Sequence, residues 1–445
     1  TALRLADAVR EAGIVGAGGA GFPTHVKLGG TCRTVIANGA ECEPLLQSDK
    51  YIMESEAEKI SAALELVTAE LQAEKGIIGI KEKNTRAVEA ISSAAAERKS
   101  ISVFPLENFY PAGDEHTLVY EVTGKVVPEG GLPIDVGVVV LNVETLLNIY
   151  NAVVESSPVM LRTVTCTGEV KTPKVLRVPI GTSMREVVRQ CGGALVEEPA
   201  LIIGGPMMGK VTTDLDTPVD KVTGGIIVLP RNHDLVLRKT RPLEVQVRLS
   251  RSACCQCVLC SELCPREMLG HDLYPHVIMR QINYGLDVPE EALASAALCC
   301  ECGICEVFAC PMGLSPSFIN GIIKQRFAEA GYKPEFGGRE PQPHEMREYR
   351  KVPTERVLSR CRLGEYDVPV YERGTLVKTD RVEVPLKQHI GAAAEPLVAE
   401  GRTVKAGELI GEIPGGSLGA RVHAPIAGTV TVSDRERIII TAAAG

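Results

Sequence analysis

Two short stretches constrain this chain more than anything else in it. "CCQCVLCSELCP" runs from Cys254 to Pro265 and "CCECGICEVFACP" from Cys299 to Pro311. The first puts five cysteines in eleven residues, and the second repeats the pattern 45 residues on. Such density leaves three chemistries: disulfide knots, zinc, or iron–sulfur clusters. The N-terminal "TALRLADAVREAG" interrupts its apolar pattern with charges, so it does not read as a secretory leader. Leu3, Leu5, Val9 and Ala12 suggest a short amphipathic helix there instead. A cytoplasmic chain is expected, in which thiols stay reduced and clustered cysteines serve metals. No apolar run approaches the ~20 residues of a membrane span. A net charge of −8 offers nucleic acid no large basic field.

Spacing narrows the choice. Cys254, Cys257, Cys260 and Cys264 give C-x2-C-x2-C-x3-C before Pro265; Cys299, Cys302, Cys305 and Cys310 give C-x2-C-x2-C-x4-C before Pro311. Structural zinc takes two C-x2-C pairs across a long loop. A third cysteine at the same spacing, then a more distant fourth and a proline, resembles the bacterial ferredoxin run. Three thiolates so spaced wrap one face of a cubane, and the fourth must come from elsewhere. In two-cluster ferredoxins the last cysteine of each run serves the other cluster. By that resemblance Cys254, Cys257, Cys260 and Cys310 hold one [4Fe–4S] cluster, and Cys299, Cys302, Cys305 and Cys264 the other. Cys255 and Cys300 are surplus and read as packed thiols. Helical periodicity between and after the runs implies a helical two-cluster module.

The N-terminal third carries a different signal. In "VGAGGAGFPTHVKL", Gly16, Gly18 and Gly21 satisfy G-x-G-x-x-G, with Gly19 between them. Glycines there permit close backbone approach and offer N–H groups to a phosphate. A helix and a two-residue apolar stub precede the loop, where a dinucleotide fold would have a full strand. The strand "TVIANGAECEP" then ends in Asn38, Glu41 and Glu43, and "YPAGDEH" and "LNVETL" close further apolar runs. Polar clusters at several strand ends imply one crevice along the carboxyl edge of an α/β sheet.

"GAGGAGFPTHVK", "NGAECEP", "YPAGDE" and "NVET", in that order, resemble the flavin-binding subunit of respiratory complex I and its relative in the Rnf complex, RnfC. The resemblance implies FMN contacts from Gly16, Gly18, Gly19, Gly21, Lys27, Asn38, Glu41, Tyr110, Gly113, Asp114, Asn142 and Thr145. It implies NADH contacts from Phe22, Glu43 and Glu115. Ala40, Leu141 and Asp114 depart from the complex I pattern.

The remainder divides further. The fold expected is multidomain α/β plus α, in five parts: a Rossmann-like FMN/NADH domain over 1–158; a β-grasp (SLBB) domain over 159–240; a ferredoxin-like two-cluster domain over 241–330; a linker or wrapping arm over 331–378; and a β barrel-sandwich hybrid over 379–445. The hybrid's turn "PGGSLGARVHAP" lacks the lysine of a lipoyl carrier. RnfC places that hybrid first. The order found here, with "LCPREMLGH", "ACPMGLSP" and "QHIGAAAEP", is similar to the cobalamin reductases of propanediol-utilisation bacterial microcompartments. That resemblance implies NADH as electron donor, FMN and two [4Fe–4S] clusters as carriers, and cob(III)alamin and cob(II)alamin as acceptors. It also implies a cobalamin adenosyltransferase and a microcompartment shell as partners, in the cytoplasm. An electron-relay subunit of a larger complex, or NADH oxidation with another acceptor, remain open.

Overall fold

The computed structural model describes residues 4–284, 293–337 and 340–442. Leu3 and residues 285–292 between the cysteine runs therefore lie outside the described residues. The first layer is a parallel sheet of β1 (Thr34–Gly39), β2 (Lys75–Lys81), β3 (Ile101–Leu106) and, past the two-residue β4 (Phe109–Tyr110), β5 (Val138–Asn142), ordered β3-β2-β1-β5. "TVIANG", "KGIIGIK" and "VVVLN" are apolar on both faces, as parallel strands covered by helices must be. Helices Ala57–Glu70, Thr85–Ala95 and Val143–Val154 bury Ile60, Leu64, Val67, Ile91, Leu146 and Ile149 in the shared core. The apolar stub before the glycine loop makes only an isolated bridge, Val15 to Pro23. All four strands of this sheet run parallel, so the loop after β1, the segment after β3 that leads through β4, and the loop after β5 leave from one edge.

A second, mixed sheet follows. β6 (Leu161–Gly168), β7 (Lys174–Pro179), β8 (Pro199–Ile203), β9 (Lys210–Thr212) and β10 (Gly225–Pro230) pack helix Met184–Gln190 over Val164, Leu176, Leu201 and Ile226. The segment after the cysteine region is more than a linker. Its β11 (Val352–Pro353) pairs with β4, and its β12 (Glu372–Leu376) extends the second sheet to the order β12-β7-β6-β10-β8-β9. Between those strands helix Thr354–Arg360 buries Val357 and Leu358 against Tyr110, Ile202 and Ile304. Its first residue, Thr354, accepts a hydrogen bond from the buried Lys81 ammonium.

The cysteine region is helical. Leu243–Ala253, Pro275–Tyr284 and Pro316–Glu329 enclose Leu273, Ile278, Leu298 and Ile319. The last unit is a four-stranded and a three-stranded sheet of short strands between Arg381 and Thr441. Its core is continuous with the first layer: Val384, Ile410 and Ile440 belong to the same cluster as Val9, Leu64 and Leu146. No helix among the described residues is long and apolar enough to cross a membrane.

Lys221 pins three of these units. Its buried ammonium donates to the carbonyls of Gly13, 2.7 Å away, and Arg421, 2.6 Å away. Burial pushes the group down to about 7, whereas a lysine in an unfolded chain titrates near about 10.4. Between those values the unfolded state binds the extra proton, so this residue's contribution to stability rises with pH. Lys221→Met removes the titration. The parent should gain thermal stability relative to this variant from about pH 7 to about pH 10; parallel pH profiles would contradict the assignment.

Candidate functional site

The glycine loop opens the crevice. Gly18, Gly19 and Ala20 are exposed, and Gly19 and Gly21 take left-handed φ values of 104° and 65°. A Cβ at Gly19 would meet nothing within 4 Å, so the loop's tip faces open space. The loop's base is held firmly. The Ala17 amide donates to Thr145 Oγ1 at 2.9 Å, and the Ala17 carbonyl accepts from Arg162. Asn142 caps helix Val143–Val154 through Oδ1 and donates from Nδ2 to Asp49 at 2.8 Å. Asn38 donates to the Gly113 carbonyl at 2.9 Å. Lys27 lies across the sheet edge, giving its protons to Glu115 and to the Val140 carbonyl, both at 3.0 Å. Gly16, Gly18, Lys27, Asn38, Gly113, Glu115, Asn142 and Thr145 thus share one crevice rim, with half-buried Phe22 directly after the loop.

Two of the expected ligand contacts also bind the protein's own backbone. Glu41 has a left-handed φ of 36° and turns back to accept from the Asp49 and Lys50 amides, at 2.8 and 2.9 Å, and from the Ser48 hydroxyl. Burial, aided by the Asp49 charge, pushes its carboxyl up to about 8. Glu43, expected beside the nicotinamide nucleotide, accepts from the Met207 and Met208 amides at 2.9 and 2.8 Å. These amides belong to the β8–β9 turn, where a Cβ on Gly205 would collide with the Glu43 carboxylate. Only glycine admits that approach. Glu43 therefore joins the first layer to the second through backbone amides.

Sequence reasoning missed four neighbours. Arg162, on β6, is almost fully buried and pairs with buried Glu144, which also accepts from the Thr163 amide. Burial pulls the guanidinium down to about 10, and its Nε has no partner. Asp49 and Cys42 stand at the same sheet edge, Asp49 accepting from Asn142 and Cys42 beside Gly113 with its thiol pushed up to about 12 by burial. Arg266, the fourth, stands where the crevice meets the cysteines. A buried cation under a glycine loop with an uncovered tip suits a phosphate-bearing cofactor. Arg162 and Asp49 sit in no recognisable motif, and Cys42 and Arg266 sit in quoted motifs that gave them no role; only the folded sheet edge assembles the four.

The cysteines form two groups. Cys254, Cys257, Cys260 and Cys310 line one cavity, with Met279 and Pro311 on its wall. Burial, together with Cys310, Cys257 and Cys254 around it, pushes the Cys260 thiol up to about 12. Cys257 and the neighbouring Cys255 are exposed. Cys264 instead lies with the second run: burial raises it, with Cys299 and Cys300 nearby and the Glu267 and Arg266 amides donating to it. Burial raises Cys305 in the presence of Cys299 and Cys264, and Cys302 is raised first by its hydrogen bond to Cys300. Cys264, Cys302 and Cys305 are buried. Each run curls through two left-handed residues at equivalent positions, Gln256 and Val258 in one, Glu301 and Gly303 in the other. Amides of Glu301 and Leu314 point at Cys299 and Cys310 sulfurs, at 3.3 and 3.4 Å. Among the described residues no three His, Cys, Asp or Glu groups converge on a single metal ion. Two loops curled around four spread thiols each, with amides turned to sulfur, fit two cubanes. The raised thiols must lose protons to bind metal, so loading is favoured by higher pH.

The crevice and the buried cysteine group touch. Tyr110, in the loop expected to hold flavin, donates its hydroxyl to the Cys302 carbonyl at 2.7 Å. Asp114 caps helix Glu115–Thr123 by accepting from the Thr117 amide and also pairs with Arg266 at 3.0 Å, both side chains buried. Burial alone would raise the Asp114 carboxyl; the Arg266 and His116 charges and the hydrogen bonds from Thr117 together outweigh it and hold the group below its ordinary range. For the other buried pair, Arg162→Leu leaves Glu144 an unpaired buried charge, which costs about 3–5 kcal/mol. Denaturant unfolding should show that loss, and Arg162→Leu with Glu144→Leu should recover part of it. A neutral single variant would contradict the pairing.

Comparison with known proteins assigns these units. Residues 9–151 match the Nuo51 FMN-binding domain, 163–211 the SLBB domain, 253–315 the 4Fe-4S dicluster domain and 374–442 the RnfC barrel sandwich hybrid domain. The chain is 42% identical over 441 residues to cobalamin reductase PduS of Citrobacter freundii, covering 99% of this chain and 96% of that one. It is 40% identical to PduS of Salmonella typhimurium, covering 99% and 97%. A component of the Na(+)-translocating ferredoxin:NAD(+) oxidoreductase complex of Acetobacterium woodii is 39% identical over 269 residues, 58% of each chain. With near-complete coverage at the identity shared with PduS, the chain belongs to the family of PduS cobalamin reductases.

Proposed function

We propose that the protein oxidises NADH and delivers the electrons singly to a corrinoid, cob(III)alamin or cob(II)alamin, using FMN and two [4Fe–4S] clusters. When bound, FMN accepts a hydride as an electron pair and releases electrons one at a time, the step size a [4Fe–4S] cluster takes. The observation that carries this reading is the shared junction of crevice and buried cysteine group through Tyr110 and Asp114.

Each residue then has a positioning task. The exposed backbone of Gly18 and Gly19 takes the flavin phosphate, with Gly16 and Gly21 shaping the turn and Thr145 and Arg162 fixing its base. Asn38, Gly113 and Asn142 would hold the flavin, and Lys27 would give a cation at the rim. Phe22 and Glu115 meet the nicotinamide nucleotide. Glu41 and Glu43 act through the loops they hold. Cys299, Cys302, Cys305 and Cys264 form the inner cluster site, Cys254, Cys257, Cys260 and Cys310 the outer one. The exposed edge at Cys257 is the exit toward the acceptor. No general acid or base is required, since hydride and electron transfer depend on distance and orientation. A cobalamin adenosyltransferase inside a microcompartment is the partner that would consume reduced corrinoid.

Anaerobic purification with flavin, iron and sulfide analysis tests this directly. About one FMN and about eight irons per chain are expected, with flavin bleaching by NADH and cob(II)alamin formation by absorbance. Bleaching without corrinoid reduction would favour a relay to another acceptor. No bleaching by NADH would overturn the donor assignment. Gly18→Leu should lower flavin content at least tenfold while leaving iron unchanged; equal flavin in both proteins would contradict the loop's role.

A further inference from the structure

Among the described residues, Arg266 is the guanidinium that faces both halves of the candidate site. It follows Cys264 by two residues, in the short helix Pro265–Met268, and is 7% exposed. One terminal nitrogen, Nη2, holds Asp114 at 3.0 Å. The other, Nη1, is buried with no hydrogen-bond partner in the protein. Cys300, Cys264 and Cys302 are the thiol groups whose charge acts on it, and His116 and His271 pack edge to face nearby. A buried donor left unpaired costs free energy, so this one calls for a partner that the protein itself does not supply. Its sister nitrogen is fixed by a carboxylate that is itself locked as a helix cap, so Nη1 cannot swing toward solvent without breaking a buried pair.

We infer that Arg266 is a positioning residue that sets the reduction potential of the inner cluster: Nη1 donates to that cluster's sulfur side while Nη2 ties it to the Asp114 loop of the flavin crevice. The inference rests on the two-cluster reading above. A fixed cation beside a cluster favours the state carrying the added electron, and a hydrogen bond to sulfur acts in the same direction. The inner cluster is thereby made an easier acceptor for electrons from the crevice. Asp114 does more than cap a helix, because it fixes where that cation stands.

The test is a redox titration followed by electron paramagnetic resonance on the full-length holoprotein, in the parent, Arg266→Gln, Arg266→Lys and Asp114→Asn. Two cluster potentials are expected in the parent. In Arg266→Gln one should move to a more negative value while the other stays, at unchanged iron content. Arg266→Lys, which keeps the charge and loses the fork, should recover part of the shift, and Asp114→Asn should change the same potential without touching the other. Two clusters with both potentials unmoved in Arg266→Gln would overturn the inference while leaving the two-cluster reading intact. Fewer than two cluster signals in the parent would instead overturn that reading. Should Arg266→Gln fail to fold, Arg266→Lys and Asp114→Asn decide the matter by the same comparison.

Discussion

The Asp114–Arg266 ion pair joins the loop after β4 to the first helix beyond Cys264. Both charges are buried, so each requires the other: removing one leaves the other without water or counter-ion. The same loop is tied a second time, by the Tyr110 hydroxyl on the Cys302 carbonyl. These two contacts fix the crevice edge of the parallel sheet against the buried cysteine group. Electron transfer between cofactors depends on separation, so a polar junction that cannot slide matters more here than apolar packing that could relax. β11 and helix Thr354–Arg360 close over the outside of this junction and pack against Tyr110.

Polar contacts repeat the theme between the other units. Glu43 reaches from the end of β1 into the β8–β9 turn, Arg162 reaches from β6 back to the glycine loop, and Lys221 spans from the second layer to Gly13 and Arg421. Each is a single charged group that hydrogen-bonds backbone of another unit. Apolar surfaces would hold the units together; directional hydrogen bonds to backbone also set their orientation. The β-grasp layer thus clamps the flavin crevice.

How much of this the sequence revealed depended on how local the signal was. The cysteine runs are local and repeated, and their resemblance to two-cluster ferredoxins is what assigns Cys264 and Cys310 away from their own runs. The glycine loop, Asn142 and Thr145 were legible because they stand in short motifs at strand ends. The structural role of Glu43 was hidden because its motif gave its neighbourhood in the chain but not the partner, a turn about 160 residues later that only Gly205 opens to it. Arg162 and Asp49 carry no motif, and the motif around Arg266 gave that residue no role. They are ordinary charged residues whose meaning comes from burial, and burial of a charge is decided by tertiary structure. The arm over 331–378 looked coreless because its few apolar residues, Val352, Val357 and Leu358, complete a core built by others.

The central claim is that the two cysteine runs exchange their last ligand, which makes one cluster site buried against the crevice and the other open to solvent. Electron paramagnetic resonance of single cysteine variants measures this most directly. Cys264→Ser should perturb the same cluster signal as Cys299→Ser, and Cys310→Ser the same signal as Cys257→Ser. If Cys264→Ser instead alters the signal that Cys257→Ser alters, each run holds its own cluster, and the arrangement described here is wrong.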